Sequence, residues 1–219
     1  MPVQDFMSKD LITVDEDGSI IKASKLMKQN RVRHLPVLRK GRVLGIVSDR
    51  ELKEATPSKA TTLDIHEMYY LLDRITVKSL MPKQLFTIAP GETVEKAAAV
   101  MLNRNISALP VVDPQGALQG IITKGDIFRA FVSISGINQA PLAMGLELED
   151  RPGSVKTVTD LIRSHGGRIA SILSGYGGAP ESFLRVYIRA REVQDEAALR
   201  KDLEGKKTRI LYYIHEKLD

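Results

Sequence analysis

Cysteine is absent from all 219 residues, which rules out disulfides, thiolate metal sites and a cysteine nucleophile, and fits a cytoplasmic location. Aromatic residues make up only 5%, so few rings are available for stacking on nucleic-acid bases. No apolar run reaches the roughly 18 residues of a membrane-spanning helix. The first ten residues, MPVQDFMSKD, hold no basic stretch leading into an apolar one, so no signal peptide is expected. The Gly-rich run of phosphate-binding loops, HExxH and Gly-x-Ser-x-Gly are all missing. The four histidines, His34, His66, His165 and His215, never stand at metal-ligand spacing. Together these absences argue against an enzyme.

What remains suits two compact units with ordinary cores. The length exceeds one small domain, and hydrophobic residues reach 43%. The net charge of +5 and the pI near 9.3 permit attraction to anions such as nucleotides, or simple solubility. Lys and Arg alternate with Asp and Glu without a long basic block, so a nucleic-acid face is the weaker reading.

The strongest signal is an internal repeat. Met7 recurs as Met81 and Thr13 as Thr87, 74 residues on (81 − 7 and 87 − 13). Ile20, Ala23 and Met27 recur as Val94, Ala97 and Met101, and Leu35-Pro36-Val37 as Leu109-Pro110-Val111. Gly45-Ile46-Val47-Ser48 recurs as Gly120-Ile121-Ile122-Thr123 one residue later, the extra residue falling in a turn where insertions cost little. Each copy predicts a short strand (Ile12–Val14, Phe86–Ile88), an N-cap (Ser19, Thr93) and a helix with apolar residues three, four and seven apart. A hairpin follows, in the second copy Leu109–Val112 and Leu118–Thr123. Its turn, Asp113-Pro114-Gln115-Gly116, has type I chemistry. A closing helix starts at Arg50 or Gly125. One unit of about 60 residues buries little surface alone, so the two copies are expected to pack together over a shared core. Between them, Tyr69-Tyr70-Leu71-Leu72 reads as part of a connecting helix packed on the pair.

Candidate binding chemistry sits at the two closing helices. In Thr123-Lys124-Gly125-Asp126 a carboxylate can accept from both ribose hydroxyls, while the Thr123 hydroxyl and free helix-start amides can hold phosphate. Lys124 adds a cation. The first copy offers Ser48-Asp49-Arg50-Glu51, with Arg50 as a fork for phosphate oxygens. Ser/Thr-x-x-Asp/Glu is also a capping box that merely starts a helix. The two uses are compatible, because a helix start is a ready anion site.

Beyond Ser135-Gly136-Ile137-Asn138-Gln139-Ala140-Pro141, which reads as a linker, strands and helices alternate. The strands are Leu142–Leu148, Arg168–Ser174, Phe183–Ala190 and Arg209–His215. One helix carries Val155, Val158, Leu161 and Ile162, and the other covers Glu196–Leu203. The order βαββαβ is ferredoxin-like. Asp150-Arg151-Pro152-Gly153-Ser154 turns the chain from the first strand into the first helix.

Residues 1–131 resemble the tandem CBS repeat, or Bateman module. The marks in both copies are a Met before a strand, a helix ending in Met, then x-Leu-Pro-Val and a Gly-Ile-Val-Ser-type run followed by an acid. The resemblance implies two β-α-β-β-α repeats clasping an adenosine nucleotide (AMP, ADP or ATP) as a regulatory ligand, with no catalytic cofactor. It also sets Thr13 and Thr87 beside the base or ribose. Arg33 and His34 can approach phosphate from the preceding strand, or His34 is simply a packed or solvated histidine. Glu51 stands where the family has Asp, and Gly125 where it often has Arg. One cleft, that of Thr123 and Asp126, is therefore expected to bind better than the other. Residues from about 142 onwards resemble the ACT domain, whose loop, here Asp150 to Ser154, often binds amino acids. The helix-start amides would hold the carboxylate and Asp150 the ammonium, or the segment is only a tight turn. Gly167-Arg168 replaces the family's usual Gly-Asn.

The expected class is thus α+β: CBS repeat 1 over 1–60, a connecting helix 61–76, CBS repeat 2 over 77–134, a linker 135–141 and an ACT domain 142–219. This order, with the runs Ser48-Asp49-Arg50-Glu51-Leu52 and Asp126-Ile127-Phe128-Arg129-Ala130-Phe131, resembles the bacterial acetoin-utilisation (AcuB) family over the whole chain. That resemblance implies a cytoplasmic homodimeric sensor linked to acetoin or butanediol metabolism, with an enzyme of that metabolism as its partner. The alternatives are a dimerising scaffold without ligand and a nucleic-acid-binding regulator.

Overall fold

A computed structural model describes residues 1–56, 64–206 and 208–216, with the backbone alone for 65–68. The chain divides into two units, Met1–Phe128 and Arg129–Asp219.

The first unit opens with β1 (Val14–Asp15), α1 (Ile20–Asn30), β2 (His34–Arg39), β3 (Arg42–Ser48) and α2 (Asp49–Glu54). Two connectors follow, α3 (Ile65–Arg74) and α4 (Val77–Leu80). The second copy is α5 (Val94–Asn103), β4 (Ala108–Val112), β5 (Leu118–Thr123) and the start of α6 (Lys124–Ser135). Both predicted N-caps form: Ser19 accepts from the Lys22 amide and Thr93 from the Lys96 amide. The Asp113 turn closes through the Gly116 amide on the Asp113 carbonyl at 2.9 Å.

Several expectations are corrected. The first strand is Val14–Asp15 rather than Ile12–Val14, because only there does the chain pair with Val37 and Leu38. Phe86–Ile88 shrinks to one bridge, Ile88 to Val111. In the first copy the Glu16 amide extends the ladder to the Leu38 carbonyl. The matching residue is Pro90, which has no N–H to give. The closing helices start one residue earlier than read, at Asp49 and Lys124. Of the tetrad Tyr69-Tyr70-Leu71-Leu72, only Leu72 joins the core; the other three are exposed. Residues 57–63, including the first part of the expected connector 61–76, lie outside the described residues. Ser135, expected in the linker, ends α6.

The two copies complete each other by exchanging the segments in front of them. The Val3 amide bonds the Glu92 carbonyl at 2.8 Å, and 74 residues on the Val77 amide bonds the Gly18 carbonyl at 2.9 Å. Gln4 to Pro90 and Lys78 to Glu16 repeat the pattern. Residues 1–8 therefore lie on the second copy, and 75–81 on the first. Val3 and Val77 are fully buried, which is worth about 1.5–3 kcal/mol each. The two recurring methionines cross over as well: a Cβ on Gly45 would sit 2.5 Å from the Met81 Sδ, and one on Gly120 would sit 2.4 Å from the Met7 Sδ. Glu16 fastens the first exchange. It receives Arg39 through Nε at 2.5 Å and Lys78 at 2.9 Å, and these partners hold its carboxyl down at about 2 from an ordinary 4.5.

The second unit is β6 (Leu142–Glu149), α7 (Ser154–Ser164), β7 (Arg168–Gly175), β8 (Phe183–Arg191), α8 (Glu196–Glu204) and β9 (Arg209–His215). Its antiparallel sheet has the order β7-β8-β6-β9, so the first strand lies inside the sheet and is buried nearly throughout. Alternation along β6 sends Leu142, Met144, Leu146 and Leu148 into one core with Val158 and Ile162 of α7 and Leu199 and Leu203 of α8. The turn after α6 packs within this unit, where the Ser171 hydroxyl donates to the Ser135 carbonyl at 2.6 Å.

Two outcomes test the exchange. Gly120→Ala is expected to destabilise the first unit by about 1–3 kcal/mol in urea unfolding. Gly45→Ala is expected to cost less, because the Ser8 carbonyl stands 3.0 Å from the added carbon at Gly120, whereas the three nearest atoms at Gly45 all belong to the flexible Met81 side chain. The Glu16 ion pairs should stabilise the fold fully above pH 4.5 and progressively less as pH falls from there toward about 2. Urea midpoints measured across that window should slope less in Glu16→Gln.

Candidate functional site

The two acid-hydroxyl pairs read from the sequence both form closed boxes. The Thr123 amide and hydroxyl donate to the Asp126 Oδ2 at 2.7 and 2.6 Å, and the Asp126 amide returns a long bond of 3.4 Å to the Thr123 hydroxyl. In the first copy the Ser48 amide donates to the Glu51 Oε2 at 2.7 Å and the Ser48 hydroxyl donates to the same oxygen. Each box fixes the first turn of its helix, a contribution of about 1 kcal/mol. Asp126 is 1% exposed. Any ribose hydroxyl there would add to a carboxylate that already receives the Thr123 amide and hydroxyl. Glu51 reaches the same geometry with one more methylene, so the departure from Asp does not break the box.

Strand register sets each box at the mouth of its own hairpin. His34 stands opposite Ser48 across the β2–β3 pair, and Ala108 opposite Thr123 across β4–β5. The Asp49 amide bonds the Arg33 carbonyl, and the Lys124 amide bonds the Ser107 carbonyl. Arg33 and Ser107 are thus repeat partners (107 − 33 = 74) at the mouths of the two hairpins. His34 Nε2 then meets the Ser107 Oγ at 2.7 Å, tying the first copy to the second between the two boxes. Burial pushes the half-buried His34 imidazole below its ordinary value of 6.5. The carboxylates of Asp49 and Glu51 pull the other way, and the Arg33 guanidinium adds to the lowering.

The remaining candidates line up less tightly. Thr13 precedes β1, which runs parallel to β2, so it lies toward the His34 end and is half-buried; Thr87, before the Ile88 bridge, is exposed. Lys124 and Arg33 are exposed, with no ion pair among the described residues. Arg50, the expected phosphate fork, points its Nε at Glu54 at 2.9 Å and is already in an ion pair. In the second unit Asp150, Arg151, Pro152 and Gly153 are exposed, Arg151 pairs with Glu149 at 2.9 Å, and Ser154 is buried. Sequence reading missed Ser107, although the 74-residue offset maps it onto Arg33, beside His34. Among the described residues no group of His, Asp and Glu could hold a metal ion, and no helix is long and apolar enough to cross a membrane.

The CBS domain family matches residues 3–58 and 77–133. The chain belongs to the CBS domain family. An uncharacterized protein (MJ1426) of Methanocaldococcus jannaschii is 30% identical over 60% of this chain and 92% of its own length. A homoserine O-acetyltransferase of Methanosalsum zhilinae is 36% identical over 57% of this chain, but the chain spans only 23% of that enzyme. Among solved structures, the CBS domain pair of protein MJ0100, in complex with 5′-methylthioadenosine and S-adenosyl-L-methionine, is 28% identical. It covers 60% of this chain and 96% of its own, with a TM-score of 0.50. The family matches leave residues 134–219 unassigned.

Because the fold favours neutral His34, its contribution is complete above pH 6.5 and is lost as pH falls through the lower value of the folded state. The melting midpoint of the CBS pair should therefore fall between pH 7 and pH 5, a window above that of Glu16. His34→Gln keeps a hydrogen-bonding amide but cannot titrate, and should flatten that fall. Equal slopes in parent and variant would show that His34 carries no charge-dependent stability.

Proposed function

We propose that the protein is a non-enzymatic regulatory sensor whose CBS pair binds an adenosine nucleotide or another adenosine compound between the two hairpins. The observation that carries this is the His34–Ser107 bond between the two hydroxyl-carboxylate boxes, of which the Asp126 carboxylate is buried. It joins the hairpin that leads into the Ser48–Glu51 box to the hairpin that leads into the Thr123–Asp126 box, with Arg33 and Lys124 exposed beside them in sequence. Carboxylates suit ribose hydroxyls, and helix-start amides with cations suit phosphate. The adenosine ligands named for the MJ0100 pair support the adenosine part of this reading; neither of them carries a phosphate. Ligand preference for one packing of the two copies would then shift the module between states, with a coupling of about 1–3 kcal/mol.

In the same reading the second unit is an ACT-type domain. Its support is the βαββαβ order, the first strand placed inside the sheet, and the Asp150–Ser154 turn, which would present helix-start amides to an amino acid. A homodimer, a cytoplasmic location and a link to acetoin or butanediol metabolism rest on the AcuB resemblance of the sequence.

Thermal shift of the full chain with AMP, ADP, ATP, S-adenosylmethionine, 5′-methylthioadenosine and NAD tests the proposal. A ligand at a hundred times its Kd adds about 2.7 kcal/mol, which for a domain of this size raises the midpoint by several degrees. Asp126→Ala should abolish the ligand-induced rise, measured against the variant's own unliganded midpoint, while Glu51→Gln should reduce it less. A protein indifferent to every adenosine compound, or a rise that survives Asp126→Ala, overturns the reading.

A further inference from the structure

All sulfur in this chain belongs to methionine, seven residues with no cysteine to intercept an oxidant. Of the five internal methionines whose side chains are described, Met27, Met101 and Met144 are at most 5% exposed and sit in the cores. Met7 and Met81 are half-buried. A thioether within reach of solvent is oxidised far more readily than one sealed in a core, whose sulfur waits for local opening. The two methionines open to an oxidant are therefore the same two that cross between the copies.

Their seats leave little room for a change of size or polarity. Each sulfur lies on a glycine of the opposite copy, Met81 on Gly45 of β3 and Met7 on Gly120 of β5, in space that a side chain would otherwise fill. At Gly120 the Ser8 carbonyl stands 3.0 Å from the same point. A sulfoxide adds an oxygen at this contact and turns an apolar, adaptable group into a polar one. Facing the sheet, the new oxygen crowds the strand and is buried without a donor; turned outward, it draws the side chain off its glycine. Both cost stability. Each glycine stands three residues ahead of its box (48 − 45 and 123 − 120), so the sulfurs rest on the strands that carry the candidate ligand groups.

We propose that Met7 and Met81 form a paired oxidation site, and that their conversion to sulfoxide by hydrogen peroxide loosens the exchanged segments. In the step a sulfur lone pair attacks one peroxide oxygen, and the S–O bond forms as the O–O bond breaks. The departing hydroxide takes the proton from the transferred oxygen and leaves as water. Sulfur is oxidised by two electrons and the peroxide is reduced by two. Residues 1–8 then lose their hold on the second copy, and 75–81 theirs on the first. Methionine sulfoxide reductases return the thioether, so the release is reversible. The proposal does not rest on the adenosine reading; it concerns how the two copies hold together, whatever binds between them.

Dilute hydrogen peroxide applied to the folded full chain, with oxidised peptides quantified over time by mass spectrometry, tests it. Met7 and Met81 should oxidise roughly tenfold or more faster than Met27, Met101 and Met144. The treated chain should melt several degrees lower. Deuterium exchange at the Val3 and Val77 amides should quicken, while the Leu146 and Ile188 amides of the C-terminal unit keep their rates. Methionine sulfoxide reductases A and B should restore the midpoint. Leucine is close to methionine in volume and has no sulfur to oxidise. A double variant, Met7→Leu with Met81→Leu, should therefore lose the response, measured against its own untreated midpoint. The proposal is overturned if Met7 and Met81 oxidise no faster than the three buried methionines, or if peroxide lowers the double variant's midpoint as far as the parent's.

Discussion

Everything in the first unit depends on the exchange of segments between the two copies. Neither copy has enough apolar surface to close its own core. The segment ahead of the first copy closes the second through Val3 and Met7, and the segment ahead of the second closes the first through Val77 and Met81. Glycine at 45 and 120 is what lets the methionines lie directly on the sheets. Burying one valine on each side is worth a few kcal/mol, comparable with a sizeable part of the net stability of a domain. The exchange therefore makes the copies mutually obligatory rather than merely adjacent.

That obligation places the candidate site. Because each hairpin is held by the opposite segment, the hairpin mouths are forced together at His34 and Ser107. The capping boxes, which any helix could use simply to start, then stand at the ends of two hairpins that meet at that bond. Local and functional roles do not compete in this geometry. The box fixes the carboxylate and hydroxyl rigidly, and preorganised groups carry a lower ordering cost in any binding.

The copies are not equivalent, and the differences are backbone chemistry. Pro90 cannot extend the ladder that Glu16 extends in the first copy. Pro82 stands where Ser8 stands, and only Ser8 exchanges both amide and carbonyl bonds with Ile121, at 2.9 and 3.0 Å. Glu16, with Arg39 and Lys78, gives the first copy an ionic clasp on its exchanged segment. In the second copy that position is proline.

Features set by neighbours within a few residues were legible from the order of amino acids. These include the Ser19 and Thr93 caps, the Asp113 turn, the hairpin of the second copy, the two boxes and the βαββαβ order. They are determined by hydrogen bonds spanning three or four positions and by side-chain periods of 2 and 3.6. The repeat itself also announced a paired module, since half of it could not bury a core. Only the folded chain decided which segment closes which copy, that His34 meets Ser107, that Arg50 is taken by Glu54 rather than left as a free fork, and that Met7 and Met81 lie on glycines of the opposite copy. Those contacts join residues tens of positions apart. Their energies depend on burial and approach in three dimensions, for which a linear sequence carries no term.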